Sequence, residues 1–231
     1  DSSPGSVPVD TTGSVVKHDY SRIEALGNAF AERVLSVWDD MYWMEGVVEL
    51  EGQTRWIPLS REALGYADGE YPFPYGGMYC GGSIDSPCWD DPEGGKPIPN
   101  LDKGCLPLTE ELAAPGNTAM TAARIGDLYI TTFPGEPVTE IAEAVVAGIH
   151  QLDADLKVLF LGYTQDYCGY STPEYNWWLG GYEASGSMWG PKQGDYLTAR
   201  AIEVMQAFLN PEHVLSWEEP PPREVTPNEN G

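Results

Sequence analysis

Apolar residues recur at helical spacing in three stretches of the chain. Ile23, Leu26, Phe30, Val34, Val37 and Met41 form the first stripe, and Ser21 with Glu24 three residues later makes a capping box. A helix is therefore predicted from about Ser21 to Met41. Val138, Ile141, Val145, Ile149 and Leu152 form a second stripe directly after Glu136-Pro137. Leu197, Ala201, Val204 and Phe208 form a third, predicting a helix from about Gly194 to Leu209 that stops at Asn210-Pro211. Between them the pattern shortens. Val47 to Leu50 and Arg55 to Ile57 flank Glu51-Gly52 and read as a hairpin. Thr118 to Arg124 and Leu128 to Phe133 read as strands joined at Gly126-Asp127, and Val158 to Leu161 is a short apolar run of the buried-strand type. Strand, Glu136 turn, helix and strand in that order predict an α/β fold, a mixed sheet with flanking helices and long ordered loops. In such sheets functional groups gather where strands end and helices begin. That rule places Glu136 and the loop after Leu161 where they can face one another. A carboxylate at Glu136 has a second reading, as a first-turn residue that complements the helix dipole.

The remaining segments are irregular. Asp1 to His18 has no helical period and reads as extended or irregular. Residues 61–117 are rich in Gly, Pro and Asp but carry aromatics and three cysteines, which suits ordered loops better than a linker. The segment SWEEPPPREVTPNENG is acidic and Pro-rich and is expected to have no core of its own. This divides the chain into 1–214 and a tail, 215–231. There is no internal repeat and no run of eighteen apolar residues that would cross a bilayer. A length of 231 residues is enough for one sizeable core. The formal charge of -24, from 36 acidic against 12 basic residues, argues against nucleic acid or an anionic membrane as partner. Most of it reads as a solvated acidic surface, suited to a saline or extracellular setting. Cys80, Cys88, Cys105 and Cys168 match neither a CxxC pair nor a zinc ribbon. One or two disulfides in an oxidising compartment are expected, with the pairing open. A chain that opens on Asp1 reads as a processed mature product, secreted or periplasmic.

The stretch from Gly162 to Gly190 is hard to explain as scaffold. It holds five Tyr, three Trp and seven Gly or Pro in 29 positions, with few aliphatic residues to build a core. It is either a cavity wall whose hydroxyls are aimed at a ligand or an aromatic surface loop packed on itself. Generic catalytic signatures are missing: no GxSxG elbow, HExxH, Walker loop or GxGxxG fingerprint occurs. His18, His150 and His213 each read as structural or solvent-exposed. A hydrolytic zinc site needs nitrogen donors beside carboxylate oxygen, and this chain alone is short of them.

Residues 133–190 resemble the C-terminal part of the catalytic domain of neutral ceramidases, zinc amidases that split ceramide into sphingosine and fatty acid. The family's PGExT-like segment corresponds to Pro134-Gly135-Glu136-Pro137-Val138-Thr139, with the Thr one place later. Its tyrosine-rich loop corresponds to Tyr167-Cys168-Gly169-Tyr170-Ser171-Thr172, and its YEGAST-like segment to Tyr182-Glu183-Ala184-Ser185, with Gly190-Pro191 after it. Upstream, DYSRIEALGNAFAERVL is similar to the helix that follows the family's GDxSP motif, and the chain opens Asp1-Ser2-Ser3-Pro4. The resemblance implies Ser3 as nucleophile, Glu136 and Tyr170 as zinc ligands, and Tyr182 as a donor to the developing oxyanion. In the family two histidines and an arginine lie before the GDxSP motif, a region this sequence does not contain. The resemblance therefore implies that the histidines lie on a second polypeptide from the same precursor, or on an N-terminal half that this sequence does not include, with an N-acyl lipid such as ceramide or a lipoamino acid as substrate. The other reading is a secreted, non-catalytic binding or structural protein that keeps the fold.

Overall fold

The structure, a computed structural model, describes residues 19–41, 46–68, 77–78, 106–107, 116–179 and 182–222. Ser3, His18, Cys80, Cys88, Cys105 and most of the loops predicted over 61–117 lie outside the described residues. The chain divides into two units, Asp1–Val47 and Val48–Gly231. In the first, helix α1 (Asp19–Asp39) matches the predicted helix to within two residues at each end. Its apolar stripe includes Ile23 and Phe30.

The second unit contains β1 (Leu50–Pro58), β2 (Gly77–Met78), β3 (Leu106–Pro107), β4 (Asn117–Ile125), β5 (Leu128–Thr132) and β6 (Glu136–Pro137). These are followed by α2 (Thr139–Leu152), β7 (Lys157–Leu161), β8 (Tyr170–Ser171), α3 (Glu174–Leu179), α4 (Tyr182–Ser185) and α5 (Gln193–Leu209). The main sheet has the order β1-β4-β5-β7, with β2 and β3 forming a separate small pair. β1 and β5 run antiparallel to β4, while β5 and β7 are parallel, joined by α2 as the crossover that parallel strands require. The sheet is mixed and helix-flanked, as the order of elements predicts.

Alternation along the strands decides what packs where. Ile57, Met120, Ala122, Tyr129, Val158 and Phe160 share the face that meets Ile141, Val145 and Ile149 of α2 and Leu197, Ala201, Val204 and Met205 of α5. Ile141, Val145 and Ile149, and Leu197, Ala201 and Val204, belong to the sequence stripes, while Met205 joins the buried face of α5 without having been in its stripe. Each such side chain contributes about 1.5–3 kcal/mol by leaving water.

Two expectations are corrected. The predicted hairpin over Val47 to Ile57 is one continuous strand, with Leu50 to Pro58 paired residue by residue against Ile125 to Asn117. Glu51-Gly52 forms no turn, because a nine-residue ladder with β4 satisfies more backbone groups than a local hairpin. The run Val158 to Leu161 is half-buried. β7 ends the sheet order, and Leu159 and Leu161, 41% and 36% exposed, point away from the helices. The start of the acidic tail packs on the sheet at β1. The Trp217 indole N–H donates to the Trp56 carbonyl at 2.9 Å, and Glu219 accepts from the Trp56 backbone N–H and from Arg55, both at 2.9 Å. Trp217 and Glu219 thus supply partners to the edge strand β1, and the Asn117 side chain of β4 donates to Pro221 O at 3.2 Å.

Candidate active site

The turn after β5 is built from close backbone approaches. Gly135 has φ +74° and a Cβ there would lie 2.3 Å from the Gly169 carbonyl oxygen, so no side chain fits. Gly169, at φ +72°, repeats the arrangement one layer on, with the Gly186 oxygen 2.3 Å from its absent Cβ. Hydrogen bonds lace the three segments together. The Gly135 N–H donates to Asp166 O at 3.0 Å, the Glu136 N–H to Gly169 O at 2.9 Å, and the Tyr170 N–H to Gly186 O at 3.1 Å. The result is the short parallel pair β6/β8, in which Glu136 and Tyr170 occupy the same register position.

Phenols then gather on one carboxylate. The Tyr163 hydroxyl donates to Glu136 Oε2 at 2.8 Å and the Tyr167 hydroxyl to Glu136 Oε1 at 2.7 Å. Tyr170 adds a third phenol interaction with the same group, and its ring meets Tyr182 edge-on with centroids 5.4 Å apart. Partial burial pushes the Glu136 carboxyl up, but the hydrogen bonds from Tyr167, Tyr163 and Tyr170 outweigh it and hold it below the usual glutamate range. The phenols respond in the opposite sense. Burial and then Glu136 push Tyr167 up to about 12, and the same causes, with Tyr182, carry Tyr170 further above its usual value. At neutral pH the cluster therefore holds one negative charge surrounded by protonated phenols.

Behind the cluster sits Gln193, which is fully buried at the start of α5. Its Nε2 donates to Cys168 O at 3.0 Å, Tyr170 O at 2.9 Å and Ser171 Oγ at 3.0 Å, while its Oε1 accepts from the Trp189 N–H at 2.8 Å. One amide thus joins the segment carrying Tyr170 to the turn that follows Tyr182.

Of the residues singled out by sequence, Glu136, Tyr170 and Tyr182 are brought together here, whereas Ser3 lies outside the described residues. Glu136 is in β6, before the Val138 cap of α2, so it is not a first-turn residue; Glu140 occupies that place. His150 meets the Leu156 carbonyl at 3.1 Å and His213 meets Glu203 at 3.4 Å, as structural histidines do. Cys168 is buried in the core. No motif in the sequence marks a role for Tyr163 or Gln193, and Tyr167 stands out only as part of one. The density of tyrosines was the available signal for the first and third; nothing distinguishes Gln193 from an exposed helix-start residue.

A carboxylate and a phenol at one register position suit two donors of a divalent cation. Among the described residues no group of three His, Cys, Asp or Glu could hold one, so these residues fit part of a zinc site and not a whole one.

No family model and no curated protein matches the chain in sequence. Among solved structures it is similar to a ceramidase complexed with C2, with a TM-score of 0.56 and 19% identity over 90% of this chain and 38% of that one. It is also similar to the neutral ceramidase from Pseudomonas aeruginosa, with a TM-score of 0.52 and 21% identity over 91% of this chain and 36% of that one. The chain spans little more than a third of each. At these identities the likeness establishes a shared fold, that of part of the neutral ceramidases.

Proposed function

We propose that this chain is one part of the catalytic domain of a zinc-dependent amidase that hydrolyses the N-acyl amide bond of ceramide or a related N-acyl lipid or lipoamino acid. The observation that carries the reading is the convergence of Glu136, Tyr170 and Tyr182 at the strand ends of a ceramidase-like fold. Glu136 and Tyr170 supply a carboxylate and a phenolic oxygen, and the histidines come from outside the described residues, on this polypeptide or on a second one from the same precursor. When bound, zinc would polarise the amide carbonyl and lower the pKa of bound water to ~7.

This chain's residues have distinct tasks. Glu136, held below its usual pKa, stays ionised at neutral pH. The Tyr170 phenol interacts with Glu136 and is held protonated, so its proton must leave before that oxygen serves as an anionic donor. Tyr182, held against the Tyr170 ring, is a fixed donor for the oxyanion that develops as the amide carbon becomes tetrahedral, a role worth a few kcal/mol. Ser3, by its resemblance to the GDxSP serine, attacks the amide carbon or assists that attack.

Glu136→Ala is expected to lower zinc content and amide hydrolysis together. Unchanged metal stoichiometry would remove the ligand assignment. Ser3→Ala is expected to leave folding and zinc intact and abolish turnover, and retained turnover would remove the nucleophile. The self-contained phenol shell around Glu136 also suits a non-catalytic protein that keeps the fold. A fully assembled protein without zinc would favour that alternative.

A further inference from the structure

Tyr163 has a backbone conformation that its side chain disfavours. Its φ is +56°, in the left-handed region where bulky residues are uncommon. Packing does not explain the choice, since Tyr163 is 70% exposed. Strain of this kind persists only where the surroundings over-determine it, and here they do. The Tyr163 N–H donates to Gly135 O at 2.9 Å. The adjacent Thr164 Oγ1 donates to Leu161 O at 2.9 Å and accepts from the Phe133 N–H at 3.1 Å. Gln165, also left-handed at φ +67°, donates through Nε2 to Thr121 Oγ1 and accepts at Oε1 from Thr132, each at 2.7 Å. Thr164 and Gln165, the two residues after Tyr163, are thus tied to the sheet, and the outcome is a phenol delivered to Glu136 Oε2 at 2.8 Å.

We propose that Tyr163 is a positioning residue for Glu136, which works with Tyr167 to fix the carboxylate for cation binding. The two phenols sit on different oxygens, Tyr163 on Oε2 and Tyr167 on Oε1. A carboxylate held at both oxygens cannot rotate about its terminal bond. A carboxylate has about four lone-pair sites, so with Tyr163, Tyr167 and Tyr170 on it one stays open for ligation. Metal-bound carboxylates are themselves hydrogen-bonded, and losing such a partner costs about 10- to 100-fold in metal affinity. The inference rests on the zinc reading above and adds a residue to it.

The test uses the full chain in its native assembly, with ZnCl2 as probe and a chromophoric chelator as competitor, alongside thermal midpoints of the metal-free protein. Tyr163→Phe removes the hydroxyl and keeps the strain. Tyr163→Asn removes both, because Asn tolerates the left-handed region. Both variants are expected to lose about tenfold in zinc affinity, while the Asn variant melts above the Phe variant. A purely structural role would make affinity follow stability. Wild-type affinity in Tyr163→Phe overturns the proposal, as does an Asn variant no more stable than the Phe variant. If the wild-type protein takes up no zinc, the functional reading fails instead. The clamp is then decided by the midpoints: Phe below wild type and Asn above Phe sustains it, and any other order overturns it.

Discussion

Gly135→Ala separates two costs that usually arrive together. Gly135 (φ +74°) and Gly65 (φ +76°) have nearly the same backbone conformation, but their surroundings differ. A Cβ at Gly65 meets nothing within 4 Å, whereas one at Gly135 lies 2.3 Å from Gly169 O and 3.1 Å from Cys168 N. Gly65→Ala therefore carries only the left-handed penalty, about 1–2 kcal/mol. Gly135→Ala adds an overlap with backbone that cannot rotate away, worth about 1–3 kcal/mol more. For a chain of this size each kcal/mol lowers Tm by about 2–4 °C. The expected losses are thus roughly 4 °C for Gly65→Ala and roughly 10 °C for Gly135→Ala, read by calorimetry on the two variants in parallel. Only the second should also disturb the tyrosine cluster, because the segment it displaces carries Tyr170. Equal losses would show that the contact between the Glu136 turn and Gly169 is not as close as described, and would remove the basis for the β6/β8 register.

Two further substitutions test the supports of the site. Gln193→Leu leaves the carbonyls of Cys168 and Tyr170 and the Trp189 N–H without the buried amide. At about 1–3 kcal/mol per orphaned group the expected loss is about 3 kcal/mol or more in urea unfolding, and a loss under about 1 kcal/mol would contradict the hub role. Tyr196, whose hydroxyl donates to Pro58 O at 2.7 Å, has a pKa pushed up to about 12, chiefly by burial, with Arg200 opposing and Glu203 adding. Because the fold favours the protonated phenol, its contribution is fully present below the unfolded value of about 10 and is lost as pH rises toward about 12. Tyr196→Phe should flatten stability over that window, and an unchanged slope would place the alkaline transition elsewhere.

The helical stripes were legible because burial on α2 and α5 follows the sequence period: Ile141, Val145 and Ile149 are the residues the spacing names. The convergence of Glu136 with the loop after β7 was legible from strand-end logic and from the ceramidase-like motifs. Other features depended on partners distant in sequence. Glu51-Gly52 looks like a turn until the long ladder with β4 is counted, and the Val158 run looks fully buried until its place at the end of the sheet is known. SWEEPPPREVTPNENG reads as a segment without partners, but Trp217 and Glu219 find theirs on β1, more than 150 residues away in the chain. Tyr163 was invisible for a different reason. A bulky aromatic is a poor choice for a left-handed backbone, and only the fixed Gly135, Thr164 and Gln165 contacts make it tenable.

Anomalous diffraction at the zinc edge, from crystals of the protein with any polypeptide that accompanies it, bears most directly on the proposed metal centre. The account predicts one peak within about 2.0–2.2 Å of a Glu136 carboxylate oxygen, bonded also to the Tyr170 phenolic oxygen, with its nitrogen donors outside the described residues. A peak bonded to other residues, or none in a preparation that hydrolyses N-acyl amides, would contradict it.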